Sequence, residues 1–327
     1  MPFRDLTGHR HLLDLIATAA TRNTLPPSLI FSGPDGVGKR ATAIALAQLL
    51  NCPAPKGADA CGVCASCTRI ARLVHADILL VRPSDTGAIK VDQVRDAIER
   101  TGYRPFEGRR RVVIIDDADA MLPEAQNALL KTLEEPPAGS MFVLVTSRSD
   151  LLLPTVRSRC QRLRFGRLAA EDVAGVLVKS HGYDKAEAQA AAAVADGSVG
   201  DALEGGMDDY LGARDAAVEV LQGVAVSADP RRRLDSAKTL AGSGDRDEVR
   251  LRLRALATIL RDIGVVGANA DERHLANADM TASLRRLVGA FDRVRVSNAF
   301  AAIDRALEAI DRNASPKIVA DWLAFQL

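Results

Sequence analysis

The chain has 327 residues, of which 47% are hydrophobic and 26% charged, a composition typical of a globular protein of two or three domains. Its net charge of +1 gives no general attraction to nucleic acid, and an aromatic content of 4% argues against a surface for base stacking. Apolar runs such as Val112–Ile115 are far shorter than the ~20 residues of a membrane span, and no secretory signal is visible at the start, so we expect a cytoplasmic protein with no membrane contact.

Short β-branched runs alternate with helical patterns between residues 28 and 166. The predicted strands are Ser28–Phe31, Asp77–Val81, Arg111–Ile115, Met141–Thr146 and Arg162–Phe165. The predicted helices between them are 40–50, 91–100, 123–135 and 151–157. Alternation of this kind predicts an α/β fold in which helices cover both faces of a parallel sheet.

Strand patterns stop after Gly166, and the rest of the chain has helical spacing. Residues 168–204 indicate three short helices, and the chain from about 208 is rich in Leu, Ala and Arg. We therefore predict three domains: an α/β domain at 1–167, a small helical domain at 168–207 and an all-helical domain at 208–327.

The segment GPDGVGKR follows the first predicted strand and precedes the first predicted helix, which is the setting of a phosphate-binding loop. Gly33, Gly36 and Gly38 allow the backbone N–H groups to point at phosphate oxygens, and Lys39 adds a positive charge. The next residue should carry a hydroxyl that binds Mg²⁺, but it is Arg40, which cannot bind a cation. The sequence thus predicts a loop that accepts phosphate but lacks a magnesium ligand; a chance glycine turn is the alternative.

An acidic strand end is the expected partner of such a loop. In RVVIIDDADAM, four apolar residues end in Asp116, where a carboxylate would hold Mg²⁺ or its water shell. The next residue should be a glutamate that activates water, but it is Asp117, which is one methylene shorter. Alone, these carboxylates could equally cap the next helix. Together with the loop they favour a degenerate nucleotide site.

Four of the five cysteines have the spacing C-x8-C-x2-C-x2-C, namely Cys52, Cys61, Cys64 and Cys67. Clustered cysteines in a cytoplasmic chain are typical metal ligands, and four thiolates suit tetrahedral Zn²⁺. Because protein would fill all four positions, the site would be structural. An iron–sulfur centre expects its fourth cysteine downstream beside a proline, and unligated thiols are the remaining alternative. The sequence predicts a zinc module at 52–67.

Four strings together resemble one protein family, the bacterial DNA-polymerase clamp-loader subunits of the AAA+ class. They are GPDGVGKR (33–40), IIDDADAM (114–121), NALLKTLEEPP (127–137) and LLLPTVRSRC (151–160). The resemblance covers about residues 1–205. It implies an AAA+ fold with a helical lid at 168–207 and a helical oligomerisation collar at 208–327. It also implies a zinc module directly after the phosphate-loop helix, where the cysteines lie.

Three departures from the family pattern point to its delta-prime type, which does not hydrolyse ATP. Arg40 replaces the magnesium hydroxyl, Asp117 replaces the catalytic glutamate, and Gly200 stands where hydrolysing members have an arginine that senses the γ-phosphate. Charge in the transition state would then lack stabilisation. We therefore expect weak or absent binding of ATP or ADP, and no ATPase activity by this chain alone. An ATP-hydrolysing gamma/tau-type subunit is the alternative; a P-loop kinase would have no use for Ser-Arg-Cys.

The Ser-Arg-Cys string itself is retained. In the family its arginine, here Arg159, acts as an arginine finger on the nucleotide of the neighbouring subunit, and Thr146 with Ser147 matches a polar sensor position. The resemblance further implies gamma/tau and delta subunits as partners. The sliding clamp would be contacted indirectly, and primer–template DNA would be reached through the complex.

Overall fold

The structure, a computed structural model, describes residues 1–195, 197–204, 207–226, 230–268, 270, 275–277, 280–312 and 314–327. It divides into two compact units, Met1–Asp172 with Ser198–Gly200, and Val173–Gly197 with Asp201–Leu327. The separation of a lid at 168–207 from a collar at 208–327 stays a prediction.

The first unit is built on a parallel sheet. Its strands are β1 (Ser28–Ser32), β2 (Ile78–Val81), β3 (Arg111–Ile115), β4 (Ser140–Thr146) and β5 (Gln161–Arg164). Its α-helices are α1 (Arg10–Thr21), α2 (Lys39–Asn51), α3 (Ala65–Ala71), α4 (Val91–Thr101), α5 (Pro123–Glu134) and α6 (Pro154–Arg157). The strand order is β2-β3-β4-β1-β5, and every neighbouring pair is parallel. The predicted α/β fold is confirmed.

Both faces of this sheet are buried, which explains why its central strands are continuous apolar runs. Successive side chains of a strand point to opposite faces. Accordingly Phe31 and Val143 belong to one apolar cluster, which includes Leu46 of α2, whereas Ile30 and Phe142 belong to the other. The register pairs Leu29 of β1 with Val143 of β4 on one side and with Gln161 of β5 on the other. β1 therefore lies inside the sheet, and the loop that follows it begins between two neighbouring strands.

The predicted strands agree with the observed ones to within one residue at each end. The predicted helix at 151–157 is wrong in part. A 3-10 turn occupies Ser149–Leu151, and α6 starts only at Pro154, whose ring fixes a helical φ and needs no N–H partner. The helices α1 and α3 were not predicted from the sequence.

The second unit is helical. Its helices are α7 (Ala170–His181), α8 (Lys185–Val194), α9 (Val199–Glu204), α10 (Met207–Val226), α11 (Pro230–Ala241), α12 (Arg246–Gly267), α13 (Thr281–Val288), α14 (Arg293–Asp311) and α15 (Pro316–Ala324), with the first residues of α7 and α9 in the first unit. The core packs around α12, whose Leu253, Leu256 and Ile259 are fully buried. In the part of the chain that the structure describes, no helix is both long and apolar enough to cross a membrane.

Candidate functional site

The phosphate loop joins β1 to α2, as the motif predicts. Gly33, Gly36 and Gly38 all have positive φ, at 150°, 68° and 94°. A Cβ atom on Gly33 would lie 2.2 Å from the carbonyl oxygen of Phe165, so no other residue fits there. The loop has kept the backbone shape that phosphate binding requires.

Lys39, the first residue of α2, is buried and turned back onto its own loop. Its Nζ donates to the carbonyl oxygens of Gly33 at 2.7 Å and Pro34 at 2.5 Å, and lies 3.5 Å from Asp35 Oδ1. Burial lowers the pKa of Lys39, and the carboxylate of Asp35 opposes that shift. An ammonium group has three donors. A phosphate would therefore compete with the loop itself for this lysine.

Arg40 forms an ion pair with Asp116, the carboxylate that the motif assigns to Mg²⁺. Arg40 Nη1 donates to Asp116 Oδ2 at 3.1 Å. The carboxylate is 8% exposed, and the arginine side chain is about half exposed. Since a guanidinium stays protonated at any ordinary pH, Asp116 has a permanent internal counter-ion. The residues present do not fit a magnesium–nucleotide complex.

Two further acidic residues lie near Asp116, and neither is well placed to bind a cation: Asp117 has a strained backbone, and Asp119 is already hydrogen-bonded. Asp117 adopts a left-handed conformation with φ of 51°, and burial, followed by the nearby Asp116 charge, raises its pKa. Asp119 accepts from Thr146 Oγ1 at 2.7 Å and from Arg148 Nε at 3.0 Å. The hydroxyl of Thr146, predicted at a sensor position, is thus hydrogen-bonded to Asp119.

Gly200 lies directly against the phosphate loop, a contact that sequence reasoning missed. The carbonyl oxygen of Gly36 accepts from the N–H groups of Val199 at 3.0 Å and Gly200 at 3.3 Å. A Cβ on Gly200 would lie 2.9 Å from Gly36 Cα, and one on Gly36 would lie 2.1 Å from Ser198 Oγ. An arginine at position 200 would collide with the loop in this arrangement. The glycines fit each other because neither has a side chain.

Arg159 lies just after α6 and contacts the last residue of α5. Its Nε donates to Glu134 Oε1 at 2.7 Å, and its Nη2 donates to the same oxygen. Its Nη1 donates to the Thr155 carbonyl oxygen at 2.8 Å. The two strings Leu-Glu-Glu-Pro-Pro and Ser-Arg-Cys, which were separate in the sequence, therefore meet through Glu134 and Arg159 on the surface of the first unit.

The four clustered cysteines converge on one point. The sulfurs of Cys52, Cys61, Cys64 and Cys67 all lie within 4.8 Å of one another, and those of Cys61 and Cys67 are 3.9 Å apart. Four sulfurs around one ion, each about 2.3 Å from it, would be about 3.8 Å apart at tetrahedral angles. The N–H groups of Cys61, Cys64 and Cys67 each point at a cluster sulfur 3.4 Å away. The cluster can hold a single tetrahedral metal ion.

The cysteines differ in their electrostatic surroundings, and their segment is anchored to the start of the chain. Backbone N–H groups of Val63 and Cys64 lower the pKa of Cys61 to about 6, whereas burial raises that of Cys67. The segment is tied to the start of the chain, because Asp59 accepts from the N–H groups of Phe3 at 3.0 Å and Arg4 at 3.1 Å. Such ties hold the sulfurs in place relative to the sheet.

Cys160 is outside the cluster. It is buried, and burial raises its pKa to about 12. It belongs to the apolar cluster of the sheet that includes Ile30 and Phe142. Cys160 is therefore a packing residue.

Comparisons with known proteins identify relatives of this chain. Residues 8–169 match the family model described as DNA polymerase III, delta subunit. Subunit tau of DNA polymerase III from Salmonella typhimurium is 34% identical over 206 residues, which are 62% of this chain and 32% of that protein. Subunit delta' of DNA polymerase III from Pseudomonas aeruginosa is 42% identical over 129 residues, 39% of each chain.

Among solved structures, a DNA polymerase III gamma subunit-related protein from Thermotoga maritima matches with a TM-score of 0.46 and 18% identity, over 96% of this chain and 97% of that one. The chain spans about a third of the length of the tau relative. The family match covers the phosphate loop, the acidic strand end and the Ser-Arg-Cys turn. Through residues 8–169, the chain belongs to the bacterial clamp-loader subunits of the AAA+ class.

Proposed function

We propose that this chain is the delta-prime-type subunit of a bacterial DNA polymerase III clamp loader. It does not hydrolyse ATP itself; it assembles with gamma/tau and delta subunits in the cytoplasm and supplies Arg159 to the nucleotide of a neighbouring ATPase subunit. The complex then places a sliding clamp on primed DNA. The observation that carries this proposal is the ion pair between Arg40 and Asp116.

The ion pair matters because phosphoryl transfer depends on charge placed around the phosphate. In active sites of this type a hydroxyl and a carboxylate hold Mg²⁺, and the cation neutralises charge that develops in the transition state. Here Arg40 removes the hydroxyl and pairs with the carboxylate. Lys39 is bound to the loop carbonyls, and Gly200 carries no side chain that could reach a phosphate. Each loss weakens catalysis, and together they leave the transition state without support.

The role of Arg159 is supported by its place on the surface. The side chain is 31% exposed, and its partners all belong to its own unit: Glu134, the Thr155 carbonyl and, more weakly, Ser158 Oγ. A planar, permanently charged guanidinium suits the γ-phosphate of another subunit. In this proposal the chain supplies Arg159 to the nucleotide of a neighbouring subunit, although its own nucleotide site is inactive.

The cysteine cluster is assigned to structural zinc. When bound, the ion would cross-link Cys52, Cys61, Cys64 and Cys67, a segment rich in Gly and Ala that has little apolar surface with which to hold its shape. Four protein ligands leave no open position for a substrate. The zinc module would therefore stabilise the surface after α2 rather than take part in a reaction.

A gamma/tau-type ATPase is the second candidate, because the tau relative shares 34% identity over 206 residues. Steady-state ATP turnover separates the two. We expect no turnover by the pure chain, weak or no binding of ATP with Mg²⁺, and turnover after mixing with gamma/tau and delta subunits. Turnover by the pure chain at about 1 s⁻¹ or more, the low end of ordinary enzyme rates, would favour the ATPase candidate. A contaminating ATPase would survive Lys39→Ala, so that variant is the control.

A further inference from the structure

Glu134 is an exposed acidic residue that binds Arg159, the arginine to which the proposed function gives a role in a neighbouring subunit. Its Oε1 accepts from both Nε and Nη2 of Arg159, and the two residues lie 25 positions apart in the chain. On the other side of the guanidinium, Nη1 donates to the Thr155 carbonyl at 2.8 Å and more weakly to Ser158 Oγ at 3.4 Å. The guanidinium plane is thus fixed from two sides.

The donor inventory shows what this leaves for a ligand. A guanidinium has five N–H groups: one on Nε and two on each Nη. The Nε–H, one Nη2–H and one Nη1–H are used by Glu134 and Thr155. One N–H on Nη2 remains, and the second N–H on Nη1 makes only the weak 3.4 Å contact with Ser158 Oγ, which a phosphate oxygen can replace. Two parallel donors on Nη1 and Nη2 are the arrangement that binds two phosphate oxygens at once.

We propose that Glu134 is a positioning residue for Arg159. It holds the guanidinium by its Nε side so that Nη1 and Nη2 face a phosphate of the neighbouring subunit. This inference rests on the proposed function of Arg159. Glu134 is 49% exposed, and exposed ion pairs contribute little to stability, so its contribution is to the direction of the guanidinium rather than to folding.

The opposite role is also defined by the geometry and is open to the same test. If Glu134 acted as a restraint that keeps Arg159 away from phosphate, removing it would raise the activity of the assembled complex. A positioning role demands the reverse, because a freed arginine side chain samples many rotamers and a misplacement of about 1 Å can cost on the order of 100-fold in rate. The sign of the effect of Glu134→Ala therefore decides between them.

The experiment is ATP turnover by the reconstituted complex with clamp and primed DNA, using full-length chains. We expect Glu134→Ala to lose a large part of the turnover that Arg159→Ala loses, and Glu134→Gln, which keeps an acceptor oxygen, to retain most of it. Glu135→Ala is the matched control, since it removes the same charge at the next exposed position. Size-exclusion chromatography checks that every variant assembles.

A double variant shows whether Glu134 acts through the arginine. In the Arg159→Ala background, Glu134→Ala should cause no further loss, whereas a general structural role would lower turnover in both backgrounds. Wild-type turnover with Arg159→Ala would overturn the proposed function of the arginine itself. A normal loss with Arg159→Ala, combined with wild-type or higher turnover for Glu134→Ala, would overturn only the positioning role.

Discussion

Arg40 converts a magnesium ligand set into an internal ion pair, and the change is made by one side chain. A cation that arrives with a nucleotide can leave with it, whereas a guanidinium on α2 is always present. Asp116 therefore has a counter-ion that does not depend on a bound nucleotide. A site that would gain and lose a cation with each nucleotide thus becomes one in which the positive charge beside Asp116 belongs to the protein.

Replacing Arg40 with Thr tests how much of the site that charge controls. We expect Arg40→Thr to lower the free energy of unfolding by about 1 kcal/mol, because Asp116 loses a half-exposed partner. Turnover of ATP should stay absent, since Asp117 and Gly200 are unchanged. Urea denaturation and a steady-state ATPase assay measure the two effects. Arg82→Thr, at another exposed position, is the control; appearance of turnover in Arg40→Thr would contradict the account.

Asp77 is a second buried carboxylate whose charge is fully used. It accepts from the N–H groups of Phe106, Glu107 and Gly108 at 2.7 to 2.9 Å and from Arg111 Nη2 at 2.9 Å. Burial by itself would raise the pKa of Asp77, but these donors outweigh burial and lower it to about 2. The carboxylate thereby fixes the loop that leads into β3.

The lowered pKa predicts an acid dependence of stability. Because the folded pKa lies below the unfolded one, the stabilisation is complete above about pH 4 and is lost as the pH falls towards 2. We expect Asp77→Asn to lower the free energy of unfolding by about 2 kcal/mol at pH 7 and by almost nothing at pH 2. The rate of hydrogen exchange at the β3 amides measures this change in the free energy of unfolding. Exposed Asp92→Asn serves as the control; an equal loss at both pH values would contradict the prediction.

At the scale of elements, we expect the shape of the segment 52–67 to depend on a bound ion, because its four cysteines converge. We expect one Zn²⁺ per purified chain by elemental analysis. Cys64→Ser should lose the ion and speed hydrogen exchange in 52–67, while exchange in β1 and β4 stays slow. Cys160→Ser, at the cysteine outside the cluster, should keep the ion. Protein without zinc, or with iron and labile sulfide, would refute this assignment.

Sequence patterns predicted the strands well because each central strand contains a continuous apolar run of three or more residues. They missed α1 because it follows His9, which has a left-handed conformation and makes no side-chain cap, so no start signal was visible. They missed α3 because its seven residues form only about two turns, too few to show a clear amphipathic pattern. Its N-terminal cap is also unusual, because it is the sulfur of Cys64. In both cases the residues around the start of the helix carry no pattern that predicts it.

The site was predictable as a set of residues but not as a set of contacts. The glycines, Lys39 and the cysteines lie where their motifs indicate. The contact between Gly36 and Gly200 could not be foreseen, because glycine has no side chain to form a pattern and the two are far apart in the chain. The pairing of Arg40 with Asp116 likewise depends on the order of strands in the sheet, which places β1 two positions from β3.

For the whole molecule, the two units differ in how far apart in sequence their contacting residues lie. The helical unit packs α10 against both α11 and α12, and its most distant major pair is α11 with α15. In the sheet, no two consecutive strands except β2 with β3 and β3 with β4 are neighbours, and β1 pairs only with the last two strands of the chain. Folding through local contacts is fast, and pairing of distant strands is slow. The α/β unit should therefore be the slower of the two to form.

The position of β1 also has a consequence during synthesis on the ribosome. β1 ends at Ser32, but β5 ends at Arg164, so 132 more residues must be added before β1 has both partners. At about 5–20 residues per second, this takes roughly 7 to 26 s. Until β4 is complete at Thr146, Leu29, Ile30 and Phe31, which are fully buried in the finished protein, have no strand to pair with. A nascent chain that stalls before residue 146 therefore exposes an apolar, unpaired strand to solvent and to other nascent chains.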